Sequence, residues 1–215
     1  MSKKTRIFDI IYDFSELLTL IILLIAIFGI MYLHFCIDLD GTLTETHINA
    51  VDDVSACNIK GYGRIGPLIN RAAEEQTISF TTYKDLETQS DLIDKVLIES
   101  QVSEAAKNAA AIIAYKPAFP DFVGKNLHRN YACVEHGIEP DHYLHILIDD
   151  NVTNCELFRK QGGVAILVNW DLSHLDVIEQ MLNLPHFAKE IAEEHYAIAS
   201  EARQAADERA KHFVR

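Results

Sequence analysis

From residue 33 onward, short apolar runs alternate with stretches in which apolar residues recur at helical spacing. Short, continuous apolar runs bounded by turn residues are typical of buried strands. The sequence therefore predicts strands at 33–37, 77–81, 111–115, 145–148 and 164–168. Strands that alternate with helices indicate an α/β domain with a mainly parallel sheet, that is, a three-layer Rossmann-like arrangement.

The helices between these strands are predicted from the spacing of apolar residues and from the positions of proline and glycine. The spacing alone predicts a helix that ends near residue 75, helices that include 92–97 and 102–109, and a helix over 152–161. Pro120 is expected in the first turn of a further helix that runs to about Glu135, with Gly137 as its C-cap.

The C-terminal segment, 184–215, carries many charges with apolar residues at rough helical spacing. This pattern predicts one long amphipathic helix. It could pack on the domain, or it could join two copies of the chain. The apolar side chains are mostly alanine, which is thin for a coiled coil. The predicted organisation is thus an N-terminal segment (1–32), an α/β domain (33–183) and this helix.

The N-terminal segment holds all but the last residue of the apolar run 17–33, which has no charged residue and only Thr19 as a polar one. Its length approaches the ~20 residues that cross a bilayer core. The run predicts a transmembrane helix or signal anchor, and the basic residues before it favour a cytoplasmic N-terminus. This span competes with the first strand for Leu33 to Ile37. The alternative is that 1–30 are foreign to a domain that begins at Met31, which would then be cytoplasmic.

The formal net charge of −13 lies entirely in residues 31–215, because the first 30 residues are neutral. A surface this acidic repels phosphate backbones, so we expect no sequence-independent nucleic-acid binding. A phosphorylated ligand would need a local cation. The four cysteines form no CxxC pair and are expected to be reduced thiols, and no zinc-ligand spacing appears among the ten histidines.

Polar side chains stand at the ends of the predicted strands. They are Asp38, Asp40, Thr81, Lys116, Asp149 and Asp150. Ligands of such sheets bind beyond the carboxyl ends of the strands, where the chain order reverses. Carboxylates gathered there repel one another, and a divalent cation relieves that cost. Oxygen ligands that engage a phosphate favour Mg²⁺.

A carboxylate whose charge is screened in this way can attack phosphorus and form an aspartyl phosphate. A second carboxylate two residues further on can protonate the leaving alkoxide and then deprotonate the attacking water. The spacing of Asp38 and Asp40 suits these two roles.

Four segments in this order resemble the motifs of the haloacid dehalogenase-like (HAD) hydrolases. They are DLDGT at 38–42, ISFTT at 78–82, YKP at 115–117 and ILIDDN at 147–151. The resemblance implies a phosphatase of the HAD type. It assigns Asp38 as the nucleophile and Asp40 as the general acid/base.

The resemblance also implies the remaining roles. Gly41 and Thr42 would belong to the substrate-binding loop, and Thr81 would bind the phosphoryl group, with Thr82 as the competing register. Lys116 would pair with the nucleophile and the phosphate, with Lys125 as its rival.

The metal set implied for Mg²⁺ is Asp38, Asp40 through its carbonyl, Asp150, and Asp149 as a ligand or as its support. Family members often carry another acid four or five residues after the acidic pair. Here Asn154 and Glu156 occupy that region.

The stretches 43–76 and 83–110 are short for the cap domains that close over small metabolites in this family. The resemblance to capless members therefore implies a large substrate such as a phosphoprotein. The alternatives are a small-metabolite or nucleotide phosphatase, and a membrane-tethered scaffold without catalysis.

Overall fold

A parallel sheet organises the part of the chain that the computed structural model describes, residues 32–43, 64–82, 86–113, 125–169 and 171–213. Its strands are β1 (Tyr32–Asp38), β2 (Thr77–Thr81), β3 (Ala111–Ile113), β4 (Tyr143–Asp149) and β5 (Val164–Leu167). Their order across the sheet is β3-β2-β1-β4-β5, and every neighbouring pair is parallel. The predicted α/β class and parallel sheet are confirmed.

Helices connect and cover these strands. They are α1 (Ile65–Glu75), α2 (Leu86–Glu99), α3 (Glu104–Ala109), α4 (Lys125–His136), α5 (Val152–Lys160), α6 (Ser173–Asn183) and α7 (Ala188–Phe213), with 3-10 turns at Pro140–His142 and Pro185–Phe187. Helix α6 was not predicted, although Leu175, Ile178 and Leu182 recur at helical spacing and are buried.

Helix α4 is described from Lys125 onward. The first turn predicted at Pro120 lies outside the described residues. Gly137 closes it as predicted, with a φ of +63° and its N–H donating to the carbonyl of Val134 at 3.1 Å.

Alternation along β1 separates an apolar face of the sheet from a mixed one. Leu33, Phe35 and Ile37 belong to the main hydrophobic core. The intervening positions His34, Cys36 and Asp38 point to the other face, because side chains alternate along a strand. All three are buried. Polar groups on this second face are therefore held inside the fold, where each needs a partner.

The long helix α7 packs on the domain, which is the first of the two alternatives for this segment. Its buried residues Ala188, Ala192, Tyr196 and Ala199 recur at helical spacing. In addition, His195 Nε2 lies 3.0 Å from the carbonyl oxygen of Leu167 in β5. Self-association through this helix stays a prediction.

The predicted membrane segment lies outside the described residues up to residue 31. Tyr32 and Leu33, the last two residues of the apolar run, belong to β1. In the described ranges no helix is long and apolar enough to cross a bilayer. Three of the four cysteines, Cys36, Cys133 and Cys155, are buried thiols, and Cys57 lies outside the described ranges.

Candidate active site

The site lies where the chain changes direction across the sheet. From β1 the chain proceeds to β2 and β3 on one side and then crosses to β4 and β5 on the other. The crevice beyond the carboxyl ends of β1 and β4 is therefore the switch point at which such sheets bind ligands. Asp38 is the last residue of β1 and Asp149 is the last residue of β4.

Strand register brings three predicted residues to the same level. Thr81 is the cross-strand partner of Asp38. Ile37 is the partner of Ile148, so the residues that follow them, Asp38 and Asp149, also leave the sheet together. Neighbouring positions at one level of a parallel sheet share a face. Thr81, Asp38 and Asp149 therefore form a row across three adjacent strands.

Three carboxylates converge at this edge. Oxygen atoms of Asp38, Asp149 and Asp150 all lie within 4.8 Å of one another. Burial raises the pKa of Asp38, and Lys125 opposes the shift. Burial, followed by the charge of Asp38, raises the pKa of Asp149 well above its usual value. These groups are costly to ionise together, which is the condition that a bound cation relieves.

Asp40 is not a member of this three-carboxylate group, although it was predicted beside them. It lies in the turn that follows β1, and its charge contributes to the raised pKa of Asp38. The structure thus brings together three of the four predicted acids and places the fourth two residues from the first.

A lysine reaches the first aspartate. Lys125 Nζ lies 2.7 Å from Asp38 Oδ1, and the lysine side chain is fully buried. The other oxygen, Asp38 Oδ2, accepts a hydrogen bond from Thr42 Oγ1 at 3.2 Å. Both carboxylate oxygens are therefore fixed by neighbours. Lys116, the first choice from sequence, lies outside the described residues.

Gly41 is needed for the turn between Asp40 and Thr42. Its φ is +75°, a region that side-chain-bearing residues rarely adopt. A Cβ built on it would lie 2.2 Å from Asp150 Oδ2. The absence of a side chain therefore lets the first acidic loop approach the second.

Asp149 is held by the start of α5. Its Oδ1 accepts the N–H of Asn151 at 2.7 Å, and its Oδ2 accepts Asn154 Nδ2 at 3.0 Å. Asn151 also caps this helix by accepting the N–H groups of Thr153 and Asn154. The residue that stands where a further acid was sought is thus a hydrogen-bond donor that orients Asp149.

The two candidate threonines differ in their hydrogen bonding. Both are fully buried. The hydroxyl of Thr81 has no hydrogen-bond partner within the described parts of the chain, whereas Thr82 has interactions of its own and donates its N–H to the carbonyl of Ile113 at 3.0 Å. A buried hydroxyl without a partner costs free energy, so the geometry favours Thr81 as a group that meets a ligand.

Sequence reasoning missed Arg203. This residue of α7 donates a hydrogen bond from Nη1 to the main-chain carbonyl of Asp150 at 2.5 Å. No motif marks an arginine about fifty residues after its partner. Only the packing of α7 on the sheet brings the two together.

Comparisons with known proteins give likenesses among solved structures only. No family model and no curated protein matches the chain. A cobalt-bound deoxy-D-mannose-octulosonate 8-phosphate phosphatase from Haemophilus influenzae is 13% identical with a TM-score of 0.41, over 62% of this chain and 67% of that one. A 3-deoxy-D-manno-octulosonate 8-phosphate phosphatase from Moraxella catarrhalis, in complex with magnesium, phosphate and KDO, is 15% identical with a TM-score of 0.45, over 79% and 92%.

A haloacid dehalogenase-like family hydrolase from Streptococcus pneumoniae is 16% identical with a TM-score of 0.43, over 69% of this chain and 91% of that one. These names agree with the family that the four motifs resemble. At such identities and TM-scores the likeness adds nothing to what the side chains of the site show.

Proposed function

We propose that the chain is a divalent-metal-dependent phosphomonoester hydrolase of the HAD type, with Asp38 as its nucleophile. The observation that carries this proposal is the convergence of Asp38, Asp149 and Asp150 at the switch point, with Lys125 Nζ on Asp38. An ordinary acidic surface loop would leave its carboxylates apart and in solvent. Here two of the three are almost fully buried.

The residues fit a hard divalent cation, and Mg²⁺ is the ion we propose. Asp38, Asp149 and Asp150 would hold it, since their oxygen atoms already lie within 4.8 Å of one another and two of them have raised pKa values. When bound, the ion would neutralise carboxylate charge and polarise a phosphoryl oxygen. The main-chain carbonyl of Asp40 stays a predicted further ligand.

Asp38 and Asp40 would carry out the two steps of the hydrolysis. An oxygen of Asp38 attacks phosphorus, the bond from phosphorus to the leaving oxygen breaks, and Asp40 gives its proton to that oxygen. Asp40, now ionised, takes a proton from the water that attacks the aspartyl phosphate. Breaking the bond from phosphorus to Asp38 releases phosphate and restores both side chains.

Lys125 and Thr81 supply the positioning. The ammonium group of Lys125 opposes the rise in the pKa of Asp38 and would meet a phosphoryl oxygen beside it. The hydroxyl of Thr81, one strand away, would donate a hydrogen bond to another oxygen of the same group. Preorganised donors of this kind typically contribute about 10²–10³-fold to turnover.

A phosphoprotein or another large phosphoester is the substrate class that we propose, because the connection from β2 to β3 contains α2 and α3 in its described part, 86–110, and no cap-sized domain. A small phosphorylated metabolite or nucleotide is the alternative. A panel of p-nitrophenyl phosphate, phosphopeptides and small phosphate esters separates these substrate classes.

The test measures phosphate release by the full-length chain with Mg²⁺ and with a chelator. We expect turnover that requires Mg²⁺ and that falls by more than about tenfold in Asp150→Asn. Asp141→Asn is the matched control, since this exposed acid precedes β4 at the other end of the sheet. Equal turnover in the chelator would contradict the proposal. No turnover on any substrate would favour the scaffold alternative.

A further inference from the structure

A second polar cluster lies on the same face of the sheet as the acidic site, at the opposite end of the same strands. It contains His34 of β1 and His145 of β4, which are direct cross-strand partners. His34 and Asp38 are four residues apart, which corresponds to about 13 Å along a strand. The cluster is therefore separate from the proposed phosphatase site.

The two imidazoles face each other through the same ring nitrogen. His34 Nδ1 lies 2.9 Å from His145 Nδ1. Each outer nitrogen is held elsewhere: His145 Nε2 lies 2.9 Å from the carbonyl oxygen of Pro140, and His34 Nε2 lies 2.5 Å from Ser79 Oγ. The two Nδ1 atoms therefore lie side by side between β1 and β4.

A cysteine completes the group. Cys133 of α4 has its Sγ within 4.8 Å of ring nitrogens of both histidines, and all three residues are buried. Cys36 Sγ lies 4.0 Å from His34 Nδ1 and is a further soft donor nearby. These side chains show no zinc-ligand spacing in the sequence because they come from three separate elements, β1, β4 and α4.

Burying imidazoles at this place has a cost that the fold does not require. Strands of a parallel sheet covered on both faces are normally continuous apolar runs. Here burial, with smaller contributions from His145 and His136, lowers the pKa of His34 to about 3. Two adjacent strands nevertheless carry histidine at partnered positions, beside a thiol from the covering helix.

The hydrogen bonds fix the tautomers when no ion is bound. A carbonyl only accepts, so His145 Nε2 carries the proton and its Nδ1 accepts. His34 Nδ1 must then donate, and His34 Nε2 accepts from the Ser79 hydroxyl. One proton therefore lies between the two Nδ1 atoms, at the point where their lone pairs would otherwise meet.

We propose that His34, His145 and Cys133 bind Zn²⁺ and thereby fasten α4 to the sheet. Two imidazoles and a thiolate are the ligands that Zn²⁺ prefers. Metal-binding histidines usually donate their other N–H to a carbonyl or another acceptor. Pro140 and Ser79 stand in those places, the hydroxyl turning from donor to acceptor when the His34 proton moves to Nε2.

The distance between the two ring nitrogens needs to change only slightly. Tetrahedral Zn²⁺ with Zn–N bonds of about 2.0–2.1 Å separates two nitrogen ligands by roughly 3.3 Å. The Nδ1 atoms are 2.9 Å apart, so they need to retreat by a few tenths of an ångström. The Cys133 sulfur lies within 4.8 Å of the ring nitrogens and needs to come to about 2.3 Å from the ion.

Proton balance gives a signature. The His34 proton moves to Nε2 and stays on the protein, and the Cys133 thiol loses its proton to solvent. Zinc binds cysteine as the thiolate, so the Cys133 thiol gives up its proton when the metal binds. One proton is therefore released for each Zn²⁺ bound, which calorimetry in buffers of different ionisation enthalpy measures.

The decisive experiment uses the full-length chain, stripped of metal and kept in excess Mg²⁺ to fill the acidic site. Titration with Co²⁺ should give a near-ultraviolet thiolate-to-cobalt band with one ion per chain, and Zn²⁺ should remove it. Cys133→Ser should lose the band, whereas Cys155→Ser, a buried thiol beside the acidic site, should keep it. No band in the wild type, or a band that survives Cys133→Ser, would overturn the proposal.

Two further variants keep the test independent of the folding of Cys133→Ser. His145→Gln should bind Zn²⁺ at least tenfold more weakly, roughly the effect of losing even a supporting partner. Ser79→Ala, which removes only the partner of His34 Nε2, should weaken Zn²⁺ binding by about 10–100-fold. Unchanged affinity in both would refute coordination through Nδ1, and none of these readouts depends on phosphatase activity.

Discussion

Arg203 donates a hydrogen bond from its Nη1 to the main-chain carbonyl of Asp150, at 2.5 Å. The last helix of the described chain thus holds the loop that carries one of the three clustered carboxylates. Because Arg203 contacts the main chain and not a carboxylate, it acts as a positioning residue for this loop.

Arg203→Ala should therefore raise the Mg²⁺ concentration needed for half-maximal turnover by about tenfold, as loss of a supporting partner does at other metal sites. The turnover number at saturating Mg²⁺ should change less. Arg209→Ala, an exposed arginine on the same helix, is the matched control and should behave as the wild type. Equal Mg²⁺ dependence in the two variants would contradict the positioning role.

The two candidate lysines can be separated by parallel substitutions. Lys125→Met should lower kcat by about 10²–10³-fold. Among the described residues, Lys125 is the only positively charged one within hydrogen-bond distance of Asp38, and the substitution removes it. Lys116→Met should retain most of the activity. Steady-state kinetics with p-nitrophenyl phosphate measures both, and the reverse result would return the role to Lys116.

Stabilisation by Mg²⁺ should increase with pH. In the folded chain the raised pKa values of Asp38 and Asp149 keep these groups protonated at pH values where the unfolded chain has lost the protons. Their contribution to stability is thus present at low pH and is lost as pH rises through the folded pKa values.

Because Mg²⁺ binds the ionised groups, it should offset that loss. The rise in melting temperature on adding Mg²⁺ should be larger at about pH 8 than at about pH 5.5, and an ion present at about 100 times its Kd adds about 2.7 kcal/mol. Thermal unfolding at the two pH values measures the difference. A shift of the same size at both would speak against carboxylate coordination.

Acid should destabilise the fold through a buried histidine. Burial, followed by the charge of Lys125, lowers the pKa of His128 to about 3. The unfolded chain binds a proton at about pH 6.5 and the folded chain does not, so stability is full above the unfolded pKa and falls as pH drops toward the folded one.

At about pH 5 this single group should cost about 2 kcal/mol of the free energy of unfolding. Urea unfolding of His128→Gln at about pH 7 and pH 5 should show a smaller loss than the wild type. The exposed His186 offers the control, since His186→Gln should keep the wild-type pH dependence. Identical losses in all three proteins would exclude His128 as the cause.

The strands were predictable from sequence because the strands of a parallel sheet covered on both faces are short, mostly apolar runs. Strand β2 has the predicted bounds, and β4 and β5 differ from theirs by one or two residues. Helix α6 was missed because the side chain that accepts an N–H at its start is not that of the N-cap residue: Asp171 Oδ1, one residue earlier, accepts the N–H of Ser173 at 3.0 Å. The N-cap residue is Leu172, whose side chain accepts no hydrogen bond from the helix and whose φ is +63°.

The acidic part of the site was predictable because its residues directly follow strands and parallel strands end at one edge. The lysine was harder, because Lys125 reaches Asp38 from a helix across 87 residues of sequence. The contacts of the histidine–cysteine cluster and of Arg203 arise from packing between separate elements. No residue spacing in the sequence predicts them.

Asp38→Asn is the sharpest test of whether Asp38 is the nucleophile of a metal-dependent phosphatase. Its turnover of p-nitrophenyl phosphate in Mg²⁺ is compared with that of the wild type, after both are shown to unfold at similar temperatures. We expect Mg²⁺-dependent turnover by the wild type and its loss in the variant, because an amide cannot form the aspartyl phosphate. Full turnover by Asp38→Asn would contradict it.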